Sequence, residues 1–250
     1  MLKQALFYLR EYFFPSGCGG CGKALSGSAA AGGEDYGEAY YGLCGDCMAF
    51  LNAAIDSESR CETCGKPLIS EKRICLSCRQ REAESGSRIV KTRLLFPYTG
   101  RFRAILGAYK FGKSLGVANF LAQRLNACAD DFGPEAASEA VWVPVPPRPG
   151  KIKKQGWDQI EYLAGLLESG YKRCHVYRCL KRLPSRSQKE LNREQRGSNL
   201  KGRIIRTRQA PKTAILFDDV ITTGSTLNAC AQALLKGGTE SVYGVCLFYD

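Results

Sequence analysis

The sequence is poor in histidine and lacks long apolar runs. Its 250 residues include a single histidine, His175, which we expect to be structural, so a mechanism that needs a His–Cys or His–Asp relay has no second candidate. No run approaches the roughly 18 apolar residues of a transmembrane helix. Leu2–Phe14 has apolar residues at helical spacing, but Glu11 interrupts it and no small-residue cleavage site follows Pro15, so it does not resemble a signal peptide. These absences predict no membrane insertion and a cytoplasmic location.

Cysteine, in contrast, is abundant, with 13 residues. Because nothing directs the chain to an oxidising compartment, bound metal explains the cysteines better than disulfides do. Eight of them form four C-x-x-C pairs, and tetrahedral zinc takes four sulfurs, so we predict two closed structural zinc sites. The expected ligands are Cys18, Cys21, Cys44, Cys47, Cys61, Cys64, Cys75 and Cys78.

Two ways of pairing these ligands are open. Sequential pairing joins the first two pairs into one site and the last two into another, and it is favoured because only ten residues separate Cys64 from Cys75. An interleaved cross-brace would join the first pair to the third and the second to the fourth. Iron in place of zinc also stays open, since ligand spacing does not fix the metal.

Gly22 and Gly65 directly follow the second cysteine of their pairs, where we expect a positive φ. The remaining cysteines lie among apolar neighbours and are expected to be buried core thiols: Cys128, Cys174, Cys179, Cys230 and Cys246.

The segment Thr213–Thr226 contains the densest cluster of candidate site residues. An apolar run, Ala214–Phe217, precedes the adjacent carboxylates Asp218 and Asp219, and a cluster of hydroxyl residues then leads into a helical pattern. This order predicts a buried parallel strand, a turn and the start of a helix. Small hydroxyl residues around a glycine at a helix N-terminus form an anion-binding loop, so the expected phosphate cradle is Thr222, Thr223, Gly224, Ser225 and Thr226.

From about residue 88 the chain alternates strand and helix patterns, which predicts a parallel sheet flanked by helices. The expected strands are Leu94–Tyr98, Val141–Val145, Arg173–Tyr177, Thr213–Phe217 and Val242–Phe248, and the expected helices are Arg101–Lys110, Leu115–Asn126, Trp157–Leu167, a short one around Lys189–Arg196, and Leu227–Lys236. The predicted organisation is an N-terminal amphipathic helix at residues 1–16, a zinc-binding region at 17–80 and an α/β domain at 88–250. Ligands of such a domain bind at the carboxyl ends of the strands.

The net charge of +12 resides in one region. Arg148–Arg208 holds 17 Lys and Arg against 5 Asp and Glu, and the rest of the chain balances. Because this region flanks the predicted cradle, we expect a polyanionic partner; the alternative is that the region is only a solvated face of a basic protein.

Two acids followed by TTGST resemble the phosphoribosyl pyrophosphate (PRPP) signature of type I phosphoribosyltransferases. The whole layout is similar to the ComF family of competence-associated proteins, which has a double zinc ribbon followed by a type I phosphoribosyltransferase-like domain. The resemblance is carried further by Tyr98-Thr99-Gly100 with Lys110-Phe111, by Val143-Pro144-Val145-Pro146 with Arg148, by Gly156-Trp157-Asp158-Gln159, and by Ser187-Gln188 with Arg196 and Asn199. Gln155 and Asp158 depart from the family, which usually has Arg and Asn there.

The resemblance implies a role for each part of the predicted site. Asp218 and Asp219 would bind the ribose hydroxyls of PRPP, Thr222–Thr226 its 5′-phosphate, and Arg148 would lie beside its pyrophosphate. Mg²⁺ would be held mainly by the ligand itself, and the basic stretch Pro184–Asn199 could close over the site as a hood.

The resemblance also implies action in DNA uptake and natural transformation, with single-stranded DNA and a competence helicase as candidate partners. A phosphoribosyltransferase acting on an unknown acceptor and a PRPP-binding regulator without turnover are the alternatives.

Overall fold

The structure is a computed structural model, and it describes residues 17–25, 38–55, 59–76, 78–80, 89–184 and 202–250. The predicted N-terminal helix, the predicted helix around Lys189–Arg196, and the loop residues Ser187, Gln188, Arg196 and Asn199 lie outside these residues. The boundary that we predict between residues 80 and 88 also falls outside them and stays a prediction.

The described residues group into two compact units. One contains those within Met1–Asp56 and Phe96–Arg124, and the other those within Ser57–Leu95 and Leu125–Asp250. The first four zinc-ligand candidates lie in the first unit and the last four in the second. Along the chain, cysteine clusters precede an α/β domain with a parallel sheet flanked by helices, which confirms the predicted fold class.

The first unit is helical around its cysteine cluster. Its described helices are α1 (Glu38–Tyr41), α2 (Gly45–Ile55), α3 (Gly100–Lys110) and most of α4 (Leu115–Ala127). Apolar spacing predicts α3 and α4 to within one residue at each end. Phe102 and Ile105 of α3 and Phe120 of α4 are buried. Phe102 stacks on Phe50 of α2 with ring centroids 4.5 Å apart, so aromatic contacts contribute to this core alongside aliphatic side chains such as Leu51 and Leu106.

The second unit is organised around a parallel sheet. The strands of the described chain are β1 (Lys91–Pro97), β2 (Val141–Pro144), β3 (Leu180–Arg182), β4 (Ile204–Arg206), β5 (Thr213–Ile221) and β6 (Ser241–Tyr249). The larger sheet has the order β1-β6-β5-β2. Its strand β5 pairs in parallel with both β2 and β6, placing Val143 opposite Leu216 and Leu216 opposite Gly244. Because β5 is central, its apolar run is buried on both faces.

Helices cover this sheet through crossover connections. After a short 3-10 turn at Asp130–Phe132, they are α5 (Pro134–Glu139), α6 (Lys151–Gln155), α7 (Gln159–Gly170) and α8 (Ser225–Leu235). The helix α8 joins β5 to the parallel strand β6, and its Leu227 and Leu234 are buried. A Cβ at Gly244 of β6 would lie 2.8 Å from Cδ2 of Leu227, so β6 needs a glycine there for α8 to pack closely. None of the helices in the described ranges is long and apolar enough to cross a membrane.

Several details differ from the sequence-based predictions, among them three that concern strands. The strand β5 continues to Ile221 instead of ending at Phe217, because Asp218 pairs with Cys246 and Ile221 with Tyr249 of β6. The strand predicted at Arg173–Tyr177 is reduced to one bridge, between Val176 and Trp142. The antiparallel pair β3–β4 was not predicted, because its short, basic segments resemble loop sequence.

Candidate functional site

A pocket of about 230 Å³ lies where β5 turns into α8. Its walls come from the end of β5, the following loop, the first residues of α8, the turn after β2, and β6. The lining residues are Arg148, Asp218, Val220, Ile221, Thr222, Thr223, Gly224, Ser225, Thr226, Leu227 and Cys246. The pocket therefore brings together every predicted substrate-binding residue and one of the two predicted acids, whereas Asp219 is outside the lining.

The loop at the pocket is shaped by its hydroxyl groups and its glycine. Gly224 has φ = 75°, a left-handed conformation that a glycine adopts without strain, and α8 begins at the next residue. The hydroxyl oxygens of Thr223 and Ser225 lie 2.7 Å apart, and the backbone N–H of Ser225 donates to Oγ1 of Thr223 over 3.4 Å. Hydroxyl donors and the positive end of a helix thus converge on one point, where they favour an anion.

The two adjacent carboxylates face different surroundings. Asp218 lines the pocket, whereas Asp219 is only 7% exposed. Successive residues of a strand point to opposite faces of the sheet, which explains this divergence. The backbone N–H of Asp219 donates to Oδ1 of Asp218 over 2.8 Å, and Oδ2 of Asp219 accepts a hydrogen bond from Nε2 of Gln159.

Gln159 belongs to a polar network that links α6, α7 and β5. Nζ of Lys151 lies 2.5 Å from Oδ2 of Asp158 and 2.5 Å from Oε1 of Gln159. Oδ1 of Asp158 accepts from the backbone N–H groups of Ile160 and Glu161, so Asp158 is the N-cap of α7. The carboxylate that departs from the family pattern is therefore a helix cap paired with a lysine. Sequence reasoning noted Gln159 only as part of a motif, and it missed Lys151.

Arg182 of β3 is a further cation that sequence reasoning missed; it is not among the lining residues but interacts electrostatically with two of them, Arg148 and Asp218. It is only 6% exposed, and its Nε and Nη2 atoms have no hydrogen-bond partner within the described part of the chain. Burial lowers the pKa of its guanidinium group from the ordinary value, the positive charge of Arg148 lowers it further, and Asp218 opposes the shift. The sequence gives no signal that Arg182 is buried while its neighbour Lys181 is exposed, because the two cations look alike in a basic segment.

Several thiols are buried, and one of them, Cys246, lines the pocket. Burial raises the pKa of Cys246 well above its usual range, and the carboxylates of Asp218 and Asp219 raise it further. Burial likewise raises the pKa of Cys174 to about 11. All of the predicted core cysteines are buried, as expected: Cys128, Cys174, Cys179, Cys230 and Cys246. His175 is exposed, and its backbone carbonyl accepts a hydrogen bond from the N–H of Trp142 over 2.8 Å.

The other predicted ligands form two groups of four cysteines, one in each unit. The sulfur atoms of Cys18, Cys21, Cys44 and Cys47 lie within 4.8 Å of one another, as do those of Cys61, Cys64, Cys75 and Cys78. This is the sequential pairing, and the cross-brace is wrong. Tetrahedral zinc with Zn–S bonds of about 2.3 Å requires sulfur atoms roughly 3.8 Å apart. The Cys21–Cys44 and Cys64–Cys75 sulfur distances of 3.7 and 3.8 Å fit that requirement, so the two clusters suit two structural zinc ions.

The two clusters share one local design. Gly22 and Gly65 have φ values of 77° and 72°, as predicted, and each donates its N–H over 2.8 Å to the carbonyl of the first cysteine of its pair. Burial alone would raise the pKa values of Cys18 and Cys61, but backbone N–H donors that include Cys44 and Cys75, respectively, lower each to about 7. Thiolates are the zinc-binding form, and such donors stabilise the thiolates.

The second cluster is also hydrogen-bonded to β1. The N–H of Thr92 donates to the carbonyl of Thr63 over 2.8 Å. Nη1 of Arg60 donates to the carbonyls of Gly65 and Leu94 over 3.0 and 2.8 Å. A Cβ at Gly65 would lie 2.7 Å from the carbonyl oxygen of Thr92, so this glycine is required both by its φ and by the close approach of β1.

Comparison with known proteins agrees with this arrangement. Residues 9–79 match the double zinc ribbon domain family. The chain is 27% identical over 202 residues to "Competence protein ComFC" of Streptococcus pneumoniae, covering 80% of this chain and 84% of that protein. The resemblance to the ComF family is confirmed. The chain is also 26% identical over 213 residues to "Competence protein F" of Haemophilus influenzae, covering 80% of this chain and 87% of that ComF-like relative.

Proposed function

We propose that this ComF-like protein binds PRPP with Mg²⁺ in the pocket at the end of β5 and acts in DNA uptake during natural transformation. The observation that carries the proposal is the convergence of a carboxylate, an arginine and a hydroxyl-lined helix N-terminus on one pocket: Asp218, Arg148 and the loop from Thr222 to Thr226. A ligand matched to these groups has a phosphate at one end, hydroxyl groups in the middle and further negative charge at the other end.

The 5′-phosphate fits the loop before α8. Backbone N–H groups at a helix N-terminus and the hydroxyls of Thr223 and Ser225 donate to phosphate oxygens, and the helix dipole favours their charge. A lysine in the loop is not required for this, because the donors are preorganised by Gly224.

The ribose fits Asp218, the member of the acid pair that lines the pocket. Carboxylate oxygens accept hydrogen bonds from sugar hydroxyls and cannot bind the phosphate, so Asp218 is suited to the part of the ligand next to the cradle. Mg²⁺ prefers oxygen ligands and retains several waters, so it fits a pocket that offers a carboxylate beside a ligand rich in phosphate oxygens. The exposed Arg148, which lies in the turn after β2, and the buried Arg182 supply positive charge for the pyrophosphate group.

The cellular role is inferred from the names of the relatives and from the charge. Both relatives carry "Competence protein" in their names. The basic region includes exposed cations in described segments, among them Lys153, Lys154, Arg203, Arg206 and Arg208. Such cations can neutralise DNA phosphates, so single-stranded DNA is the proposed macromolecular ligand, with a competence helicase as a protein partner.

Calorimetry with PRPP and Mg²⁺ tests the small-molecule part. The native protein is expected to bind, and the double variant Asp218→Asn with Asp219→Asn is expected to lose binding. The double variant Asp46→Asn with Asp130→Asn, which neutralises two exposed carboxylates, is the matched control and should bind normally. Absence of binding by the folded, zinc-loaded native protein would refute the proposal. If binding is found, incubation with candidate acceptors and detection of released pyrophosphate distinguishes a transferase from a regulator.

Salt titration tests the DNA part. If Z phosphates of single-stranded DNA are neutralised, the logarithm of the binding constant should fall with the logarithm of salt concentration at a slope of about −0.7Z. Replacing Arg203, Arg206 and Arg208 with glutamine should reduce that slope by roughly two units. A slope near zero in the native protein would argue against direct DNA binding while leaving the PRPP proposal untouched.

A further inference from the structure

The side chain of Gln159 bridges a lysine and a buried carboxylate. Its Oε1 lies 2.5 Å from Nζ of Lys151, and its Nε2 donates to Oδ2 of Asp219. The orientation of the amide follows from chemistry, because an ammonium group can only donate and a carboxylate can only accept. The amide of Gln159, with an acceptor and a donor side by side, therefore satisfies both partners at once.

Burial makes this bridge important. Asp219 is 7% exposed, and the side chain of Lys151 is 22% exposed. A buried carboxylate is strongly destabilised unless its oxygens accept hydrogen bonds, and a hydrogen bond to a charged group is worth more than one between neutral groups. Removal of the Gln159 amide would take one hydrogen-bond donor away from the buried carboxylate of Asp219, which would then favour a different position.

The bridge joins α6 and α7 to β5, the strand whose end lines the pocket. Lys151 begins α6, directly after the turn that carries Arg148, and Gln159 begins α7. Asp219 lies in β5 next to Asp218, and its backbone N–H holds Oδ1 of Asp218 at 2.8 Å. A continuous chain of contacts thus runs from α6 through Gln159 and Asp219 to the carboxylate in the pocket.

We propose that Gln159 is a positioning residue for the acid pair. It holds the Asp219 carboxylate, and through the backbone of Asp219 it fixes the carboxylate of Asp218 toward the ligand. The inference rests on the proposed function, because it assigns Gln159 to the sugar-binding part of the PRPP site. The phosphate loop is formed by other contacts, between Thr223, Gly224 and Ser225, and should not depend on Gln159.

Calorimetry with two ligands separates positioning from general stability. The probes are PRPP with Mg²⁺, which has a ribose, and pyrophosphate with Mg²⁺, which has none. Gln159→Met keeps the length of the side chain but removes both hydrogen bonds. It is expected to weaken PRPP binding about tenfold to a hundredfold and to leave pyrophosphate binding within about twofold. Gln159→Glu places a carboxylate against Asp219 and should have a larger effect on PRPP alone.

Gln155→Glu is the matched control, because it makes the same exchange at an exposed position of α6. It is expected to change neither affinity by more than about twofold at moderate salt. Should Gln159→Met fail to fold, Gln159→Asn, whose amide is one carbon shorter and cannot reach both partners, is expected to show the same selective loss.

Each outcome has a definite meaning. Equal weakening of both ligands would show that Gln159 only stabilises the fold and would overturn the inference, as would unchanged PRPP binding. If the native protein binds pyrophosphate but not PRPP, the proposed function fails and the inference fails with it. If the native protein binds PRPP, and Gln159→Met loses PRPP binding while it retains pyrophosphate binding, both the proposed function and the inference stand.

Discussion

Replacement of Gly65 with alanine should destabilise the second zinc ribbon by about 3 kcal/mol, whereas the equivalent replacement of Gly22 should destabilise the first by only about 1 kcal/mol. Both glycines follow the second cysteine of their pairs and have nearly the same φ, 72° and 77°. An alanine at such a φ costs roughly 1–2 kcal/mol, partly offset because alanine restricts the unfolded chain. The net backbone effect, which the two positions share, is therefore a destabilisation of about 1 kcal/mol at each position.

The difference between the two variants comes from packing. A Cβ at Gly22 meets no atom within 4 Å, whereas a Cβ at Gly65 would lie 2.7 Å from the carbonyl oxygen of Thr92 and 2.9 Å from the backbone nitrogen of Leu94. Both obstructing atoms belong to the backbone of β1, so no side-chain rotation can relieve the overlap. Overpacking of this kind costs about 1–3 kcal/mol, and its midpoint gives the additional 2 kcal/mol expected at Gly65.

Amide hydrogen exchange measures the two effects locally. The Thr92 amide, which bonds to Thr63, reports on the second ribbon, and the Gly19 amide, which bonds to the carbonyl of Gly42, reports on the first. Exchange at Thr92 should accelerate about a hundredfold in Gly65→Ala, and exchange at Gly19 about fivefold in Gly22→Ala. Zinc content should be measured in both variants to confirm that each ribbon is loaded. Equal acceleration in the two variants would refute the close packing of the second ribbon on β1.

Three further predictions address the cap, the core and pH. Asp158→Ala should lower the free energy of unfolding by about 1–2 kcal/mol in urea titrations, because α7 loses its N-cap. Asp158→Asn retains a capping oxygen and should lower the free energy of unfolding by less. Equal losses in the two variants would contradict the capping role. Leu216→Ala should lower it by about 3–5 kcal/mol, because Leu216 is fully buried in the central strand, and a loss under about 1 kcal/mol would show that the core is not packed as described. Burial raises the pKa of Cys174 from 9.0 to about 11, so the unfolded chain loses this proton at a lower pH than the folded protein does. The contribution of the protonated Cys174 thiol to stability is therefore fully present below pH 9 and is lost as the pH rises to about 11. Stability should therefore fall less between pH 8.5 and pH 11 in Cys174→Ala than in the native protein, and identical slopes would contradict the raised pKa.

Patterns within single segments predicted the elements that carry them. The cysteine spacing predicted two four-cysteine clusters, because the ligands of each pair are close in sequence and a short connection favours sequential pairing. Apolar spacing predicted α3 and α4, and the buried run at Ala214–Phe217 predicted the central strand. The end of β5 was wrong by four residues, because a strand continues wherever a neighbour supplies ladder hydrogen bonds, and Val220 and Ile221 find them in β6.

Contacts between segments that are distant in sequence explain why the rest of the site could not be predicted. Gln159 and Asp219 are 60 residues apart, and only the packing of α7 against β5 brings them together. Arg182 is buried because β3 pairs with β4, a pairing that neither short segment suggests by itself.

Two acids in a row resembled a single ribose-binding unit, yet the alternation of side chains along a strand directs Asp218 into the pocket and Asp219 toward α7. The two aspartates therefore have separate roles in the proposed site. The carboxylate of Asp218 contacts the ligand, whereas Asp219 holds that carboxylate through its backbone N–H and is itself held by Gln159, so single substitutions of Asp218 and Asp219 should have different consequences. Asp218→Asn should weaken PRPP binding at unchanged stability. Asp219→Asn, which alters the charge of a buried and hydrogen-bonded group, should change stability as well, and calorimetry combined with thermal unfolding of both single variants would distinguish this division of roles from two equivalent acids.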